Sequence, residues 1–180
     1  MPNDGLQLIR YLGALVLSIS LAGCASKYRV DAYEAPATHL DKQASFYIAL
    51  PADGRYGAIV YPGSGAATAQ AAANALSIHV EKTVIGTTSG EQLDAALIQA
   101  RQNALTHVFM TTILNWEDRA TEWSGISDKI TLKFAVYETQ SGKLVSSTVT
   151  SASSKWGTLG GDHPQDLLPE PTQRFVDPLF

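Results

Sequence analysis

The 180-residue chain has a single cysteine, Cys24. No disulfide can form within it, so a framework of cross-links is excluded as a source of stability. Positive charge is also scarce: 13 Lys and Arg stand against 17 Asp and Glu, giving a formal net charge of -4, and no run of basic residues occurs. A nucleic-acid groove or a polybasic membrane patch needs clustered cations to displace counterions, so no nucleic-acid partner is expected. No apolar run reaches the roughly 20 residues of a membrane-spanning helix. The histidines, His39, His79, His107 and His163, are scattered without a pair at metal-ligand spacing, and neither a metal nor a cofactor is expected.

What the chain does have begins with an address. Arg10 precedes the apolar stretch Leu12 to Leu21, which has the length of a signal-peptide core and ends in Leu21-Ala22-Gly23-Cys24. That tetrapeptide resembles the bacterial lipobox, in which small residues fit the peptidase and the cysteine thiol receives diacylglycerol. Residues 1–23 then read as a lipoprotein signal peptide, and the mature chain meets a membrane through lipid on Cys24. Ala25 and Ser26 follow, with no aspartate. By resemblance to enterobacterial lipoproteins, this implies an outer-membrane anchor and a domain facing the periplasm. From there to residue 44 no period of 2 or 3.6 is visible and Pro36 interrupts, so residues 24–44 are expected to be a lipidated, flexible tether.

Residues 45–180 read as one α/β domain, since a chain of this length encloses one core comfortably and two poorly. Ser45 to Leu50 is a short apolar strand stopped by Pro51 and Asp53-Gly54. After Tyr61-Pro62-Gly63-Ser64-Gly65 comes an alanine-rich helix to about Ile78, for which Ser64 is the expected N-cap. A glycine-rich loop opening a helix can cradle phosphate, but this one lacks the P-loop lysine and the three-glycine dinucleotide spacing. Val80 to Ile85 is a second strand, and Ser89-Gly90-Glu91-Gln92 has the form of a capping box for a helix carrying Leu93, Leu97, Ala100 and Ala104 on one stripe. His107 to Leu114 is apolar enough for a central strand. From Lys129 the pattern alternates, with Ile130, Leu132, Phe134 and Val136 on one side, and Gln140-Ser141-Gly142-Lys143 turns the chain into a returning strand. Near the end, Pro169, Pro171 and Pro178 confine an apolar segment to a short C-terminal helix. The order β-α-β-α-β-β-β with that helix predicts a two- or three-layer sandwich around a mixed sheet of about five strands in the order 2-1-3-4-5.

The stretch with the most chemistry lies between the third and fourth of these strands. Trp116, Glu117, Asp118, Arg119, Glu122 and Trp123 place two indoles, three carboxylates and a guanidinium in one loop. Two wet indoles are expensive, so they either fold back on the sheet, with Arg119 pairing Glu117 or Glu122, or anchor a partner. A ring of charge around aromatic anchors is the composition of a protein-docking site. The same carboxylates beside indoles could bind or hydrolyse a glycan such as peptidoglycan, although one loop provides few sugar subsites. A Ser64, Asp162, His163 triad is disfavoured, because adjacent Asp and His cannot easily orient one another.

The segments YPGSG (Tyr61 to Gly65), WEDRATEWSG (Trp116 to Gly125), Asp128 and GGDHPQDLLPEP (Gly160 to Pro171) together resemble the bacterial envelope lipoproteins that carry the domain of unknown function 4823. The resemblance runs from Phe46 to the C-terminus and brings no assigned activity or catalytic residue. In broad architecture the pattern is also similar to lipoprotein activators of cell-wall synthases, which are binding modules. The expectation is therefore a non-catalytic module docking an envelope protein, with glycan binding or hydrolysis as the alternative.

Overall fold

The computed structural model describes residues 27–119, 126–154 and 163–180. Among these the strands are β1 (Lys27–Glu34), β2 (Ser45–Ile48), β3 (Arg55–Tyr56), β4 (Ile59–Val60), β5 (Lys82–Ile85), β6 (His107–Glu117), β7 (Lys129–Glu138) and β8 (Leu144–Ser153), and the helices are α1 (Ser64–Leu76), α2 (Leu93–Gln102) and α3 (Pro169–Val176). Six strands form one sheet in the order β1-β8-β7-β6-β2-β5, and β3 and β4 form a separate hairpin. β2 lies parallel to both β5 and β6, whereas β6, β7, β8 and β1 follow one another antiparallel.

From β5 across to β8 the strands stand in the expected order. The sixth strand, β1, occupies residues expected to be tether. Its sequence hid it for a physical reason: all its residues but one are exposed, so it has no buried face to impose a period of two. Its pairing is backbone work, reinforced by hydroxyls of β8. Ser146 Oγ donates to the Glu34 carbonyl (2.7 Å), Thr148 Oγ1 to Ala32 (2.7 Å) and Thr150 Oγ1 to Arg29 (3.0 Å).

The two crossover helices cover opposite faces. Phe46 and Ile48 of β2, Phe109, and Ile130, Leu132, Phe134 and Val136 of β7 pack with the alanines and Leu76 of α1 and with Phe175 and Val176 of α3. On the other face Tyr47, Ala49 and Val108 pack against Ala96, Leu97 and Ala100 of α2. The molecule is thus three layers thick around β5, β2 and β6. Toward β1 the second face carries no helix among the described residues. The C-terminal end is core, as read from its spacing: Leu179 is buried, its carbonyl accepts from the Leu40 N–H (2.6 Å), and the Phe180 ring stacks on His79 with centroids 4.6 Å apart.

Neither expected side-chain cap forms. α1 begins at Ser64 behind Gly63, which takes φ 87°, a left-handed conformation suited to glycine. The Ser64 hydroxyl accepts from the Gly54 N–H (2.7 Å) and donates to the Tyr61 carbonyl (2.6 Å), so it ties the preceding hairpin instead of capping. Asp53 supplies the negative end: its Oδ1 accepts from the Gly65 N–H at 2.9 Å, where the helix dipole favours a carboxylate. A Cβ on Gly65 would lie 2.4 Å from the Pro51 carbonyl oxygen, which explains the glycine. Likewise α2 starts at Leu93 without a side-chain cap, Ser89 Oγ donating to the Pro51 carbonyl (3.4 Å) and Gln92 Nε2 to Gly90 (2.9 Å).

His107 opens β6 with its ring stacked on Phe46, centroids 5.3 Å apart. Burial holds its pKa below the ordinary 6.5, against the opposing pull of the Glu138 charge. The folded state therefore binds this proton less readily than the unfolded chain does. The corresponding stability is complete above pH 6.5 and is lost as pH falls through the lower folded value. Urea unfolding at a series of pH values is expected to show stability declining below neutrality, with a shallower decline in His107→Gln. An unchanged pH profile in that variant would contradict this role.

Candidate functional site

The C-terminal ends of the parallel strands β2, β5 and β6 lie at one end of the sheet, together with the starts of β7 and β1. Open α/β sheets characteristically bind ligands there. In this protein much of that ground is filled by its own chain. The turn before β3 presses on β6 so closely that a Cβ on Gly54 would lie 2.6 Å from the Trp116 Cβ. The Gly65 N–H, which could have met a phosphate, is taken by Asp53.

The tryptophan loop leaves from the same end. Trp116, opposite Ile130, is 2% exposed and belongs to the α1/α3 core. It is therefore corrected from a candidate contact residue to a core residue: its apolar ring gains more from burial than a free surface could offer. Glu122 and Trp123 lie outside the described residues, as does Cys24.

The residues between them form a charged rim on a rigid base. Glu117 Oε2 pairs with Arg119 Nη2 at 2.6 Å, the first of the two pairings expected, and Glu117 Oε1 accepts from Asn115 Nδ2 at 3.0 Å. The Arg119 guanidinium also lies over the Tyr56 ring, 4.9 Å from its centroid. Its backbone N–H donates to Asp128 Oδ1 at 2.6 Å. Asp128 is fully buried and exchanges hydrogen bonds with Ser154: the Asp128 N–H donates to Ser154 Oγ and the Ser154 N–H to the Asp128 carbonyl, both at 2.9 Å. Asp118 faces His163, with Oδ1 4.0 Å from Nδ1. Asp128 thus ties the end of β6, the start of β7 and the end of β8 together. Among the described residues no group of His, Cys, Asp and Glu is arranged to hold a metal ion.

The family description "Domain of unknown function (DUF4823)" matches residues 38–179. The chain belongs to this family. Among solved structures, the DUF4823 chain is similar to the PelC dodecamer from Paraburkholderia phytofirmans, with a TM-score of 0.66, 15% identity, and 86% of this chain and 97% of that chain covered. It is also similar to protein XCC0632 from Xanthomonas campestris, at a TM-score of 0.50 and 10% identity, covering 79% and 91% of the two chains. Lipoprotein GNA1162 from Neisseria meningitidis lies further away, at a TM-score of 0.47, 14% identity and coverage of 62% and 83%. At such identities the likeness is one of fold. No curated protein matches the sequence. The DUF4823 match starts after β1, so this edge strand is an addition to the matched region.

Sequence reasoning singled out the rim of the site and passed over its base. Asp128 figured only in the family resemblance, and Tyr56 and Ser154 were given no role in the site, because each acts through a partner distant in sequence. Asp128→Ala removes a buried acceptor from the Arg119 N–H, and loss of a hydrogen bond to a charged group predicts a decrease of about 1.5–3 kcal/mol in unfolding free energy. Asp128→Asn, which retains an acceptor oxygen, should recover part of it. Urea denaturation of the two variants checks both statements.

Proposed function

We propose that this DUF4823 protein is an outer-membrane-anchored periplasmic lipoprotein whose domain docks an envelope protein and performs no catalysis. The observation that carries the docking reading is the Glu117–Arg119 pair, partly exposed and held from below by buried Asp128. A pre-ordered charged group loses little entropy when a partner meets it. The sequence Leu21-Ala22-Gly23-Cys24, with its lipobox form, supports the anchor. No helix among the described residues is long and apolar enough to cross a membrane.

Binding is favoured over glycan hydrolysis because Glu117 has both oxygens engaged, one by Asn115 and one by Arg119. A general acid or nucleophile must reach its substrate. The test is a photo-crosslinking residue at position 118, carried by the lipidated protein in cells. One discrete envelope protein, no longer captured in Arg119→Ala, is the expected result. Capture of peptidoglycan fragments alone, or of nothing, would overturn the proposal. Crosslinks between two copies would favour self-assembly instead, a reading encouraged by the dodecameric PelC structure of similar fold.

A further inference from the structure

β1 begins at Lys27, three positions beyond Cys24. At about 3.3–3.6 Å per extended residue, that spacing reaches on the order of 10 Å. A lipid on Cys24 therefore keeps the end of the sheet where β1 starts near the headgroups, with the orientation of the domain left to its own contacts with the membrane. Two rows of paired residues cross the sheet at that end. Lys27 pairs with Ser153, Ser153 with Lys129 and Lys129 with Glu117; behind them Arg29, Ser151, Thr131 and Asn115 follow in the same way. All of these but Glu117 line an open groove of about 760 Å³, on the part of the second sheet face that no helix among the described residues covers.

The charge in the groove is uneven. Asp31 is engaged by Arg29 (2.6 Å) and by the Ser151 hydroxyl (2.7 Å), and Glu117 by Arg119 and Asn115. Lys27 and Lys129 are exposed and form no ion pair among the described residues. Two uncompensated ammonium groups beside serine and threonine hydroxyls, in a chain of net charge -4, form a local cationic site that no sequence run announces. We propose that this groove docks the headgroup phosphates of anionic phospholipid in the membrane that carries the protein's own anchor. The inference rests on lipidation of Cys24 as proposed above.

The test uses the full lipidated protein in vesicles of phosphatidylcholine with and without phosphatidylglycerol. Spin labels are placed on cysteines introduced at Thr131, in the inner row of the groove, and at Ser141, in the β7–β8 turn at the opposite end. Relaxation by a paramagnetic ion chelated at the headgroups is expected to be strong at position 131 only with phosphatidylglycerol, and weak at 141 in both vesicles. Each basic side chain near an anionic surface is worth about fivefold in affinity, so Lys27→Gln/Lys129→Gln should lower the docking equilibrium constant on the order of 25-fold. Equal relaxation at 131 in both lipids, or no change in the double variant at unchanged melting temperature, would overturn the proposal. So would protection of 131 that appears in neutral vesicles and grows with protein density, which would mark a second copy on this face. A mature protein whose mass lacks lipid and which does not float with vesicles overturns the anchor reading itself, an outcome distinct from a floating but undocked protein.

Discussion

Trp116→Ala is expected to lower the free energy of unfolding by about 3–5 kcal/mol, the range for deleting a large aromatic from a packed core. The magnitude depends on whether the surroundings can collapse, and here they are pinned. Gly54, whose backbone lies against the indole, donates its N–H to Ser64 Oγ (2.7 Å) and accepts from the Tyr61 N–H (3.0 Å). On the other side Ile130 is fixed in register opposite Trp116. The cavity should therefore persist. Equilibrium urea unfolding decides the matter, and a change below about 1 kcal/mol would show that the ring is not the keystone its burial suggests. A corollary concerns function: loss of a partner in Trp116→Ala would report unfolding of the sheet end, so Arg119→Ala is the sharper probe of docking.

Phe175→Ala should be comparably severe, about 3–5 kcal/mol, but its effect should start at the C-terminus. Phe175 is 2% exposed, stacks on Phe134 with centroids 5.5 Å apart and meets Phe109 edge-on at 5.8 Å. It is the main apolar anchor of α3, which at eight residues is far too short to be helical unaided. Without the ring, α3 should detach and expose the core-facing hydroxyls of Ser146, Thr148 and Thr150. Limited proteolysis is expected to cut first near Arg174, before global unfolding. Cleavage with the same order and rate as in the parent protein would refute this account.

The sheet was legible wherever burial imposes a pattern. The apolar run of β6 and the alternation Ile130, Leu132, Phe134, Val136 exist because α1 and α3 cover those side chains, and the central strand order followed from them. β1 imposes no such pattern, since its stability comes from backbone bonds and from hydroxyls on another strand. The helix starts misled for a related reason. Ser64 and Ser89 have the chemistry of local caps, yet Ser64 accepts from the Gly54 N–H and Ser89 donates to the Pro51 carbonyl, and Asp53 took over the capping of α1. In the candidate site the charged rim was visible as composition, whereas its base at Asp128 was not. Similarly, Lys27 and Lys129 become neighbours only through Ser153, which no local window can reveal.

The way β1 lies in the sheet also determines how the domain resists force. A tug on the proposed lipid of Cys24 would enter the fold at Lys27 and run along β1 against β8, from Lys27 opposite Ser153 to Glu34 opposite Ser147. Antiparallel ladder bonds stand perpendicular to the strands, so a pull along the axis strains them in shear, all together, instead of peeling them off one by one. The hydroxyls of Ser146, Thr148 and Thr150 share the same stress. With the proposed lipid on Cys24 in place, a strand that looks like a mere extension of the anchor would thus be the mechanical coupling between bilayer and domain.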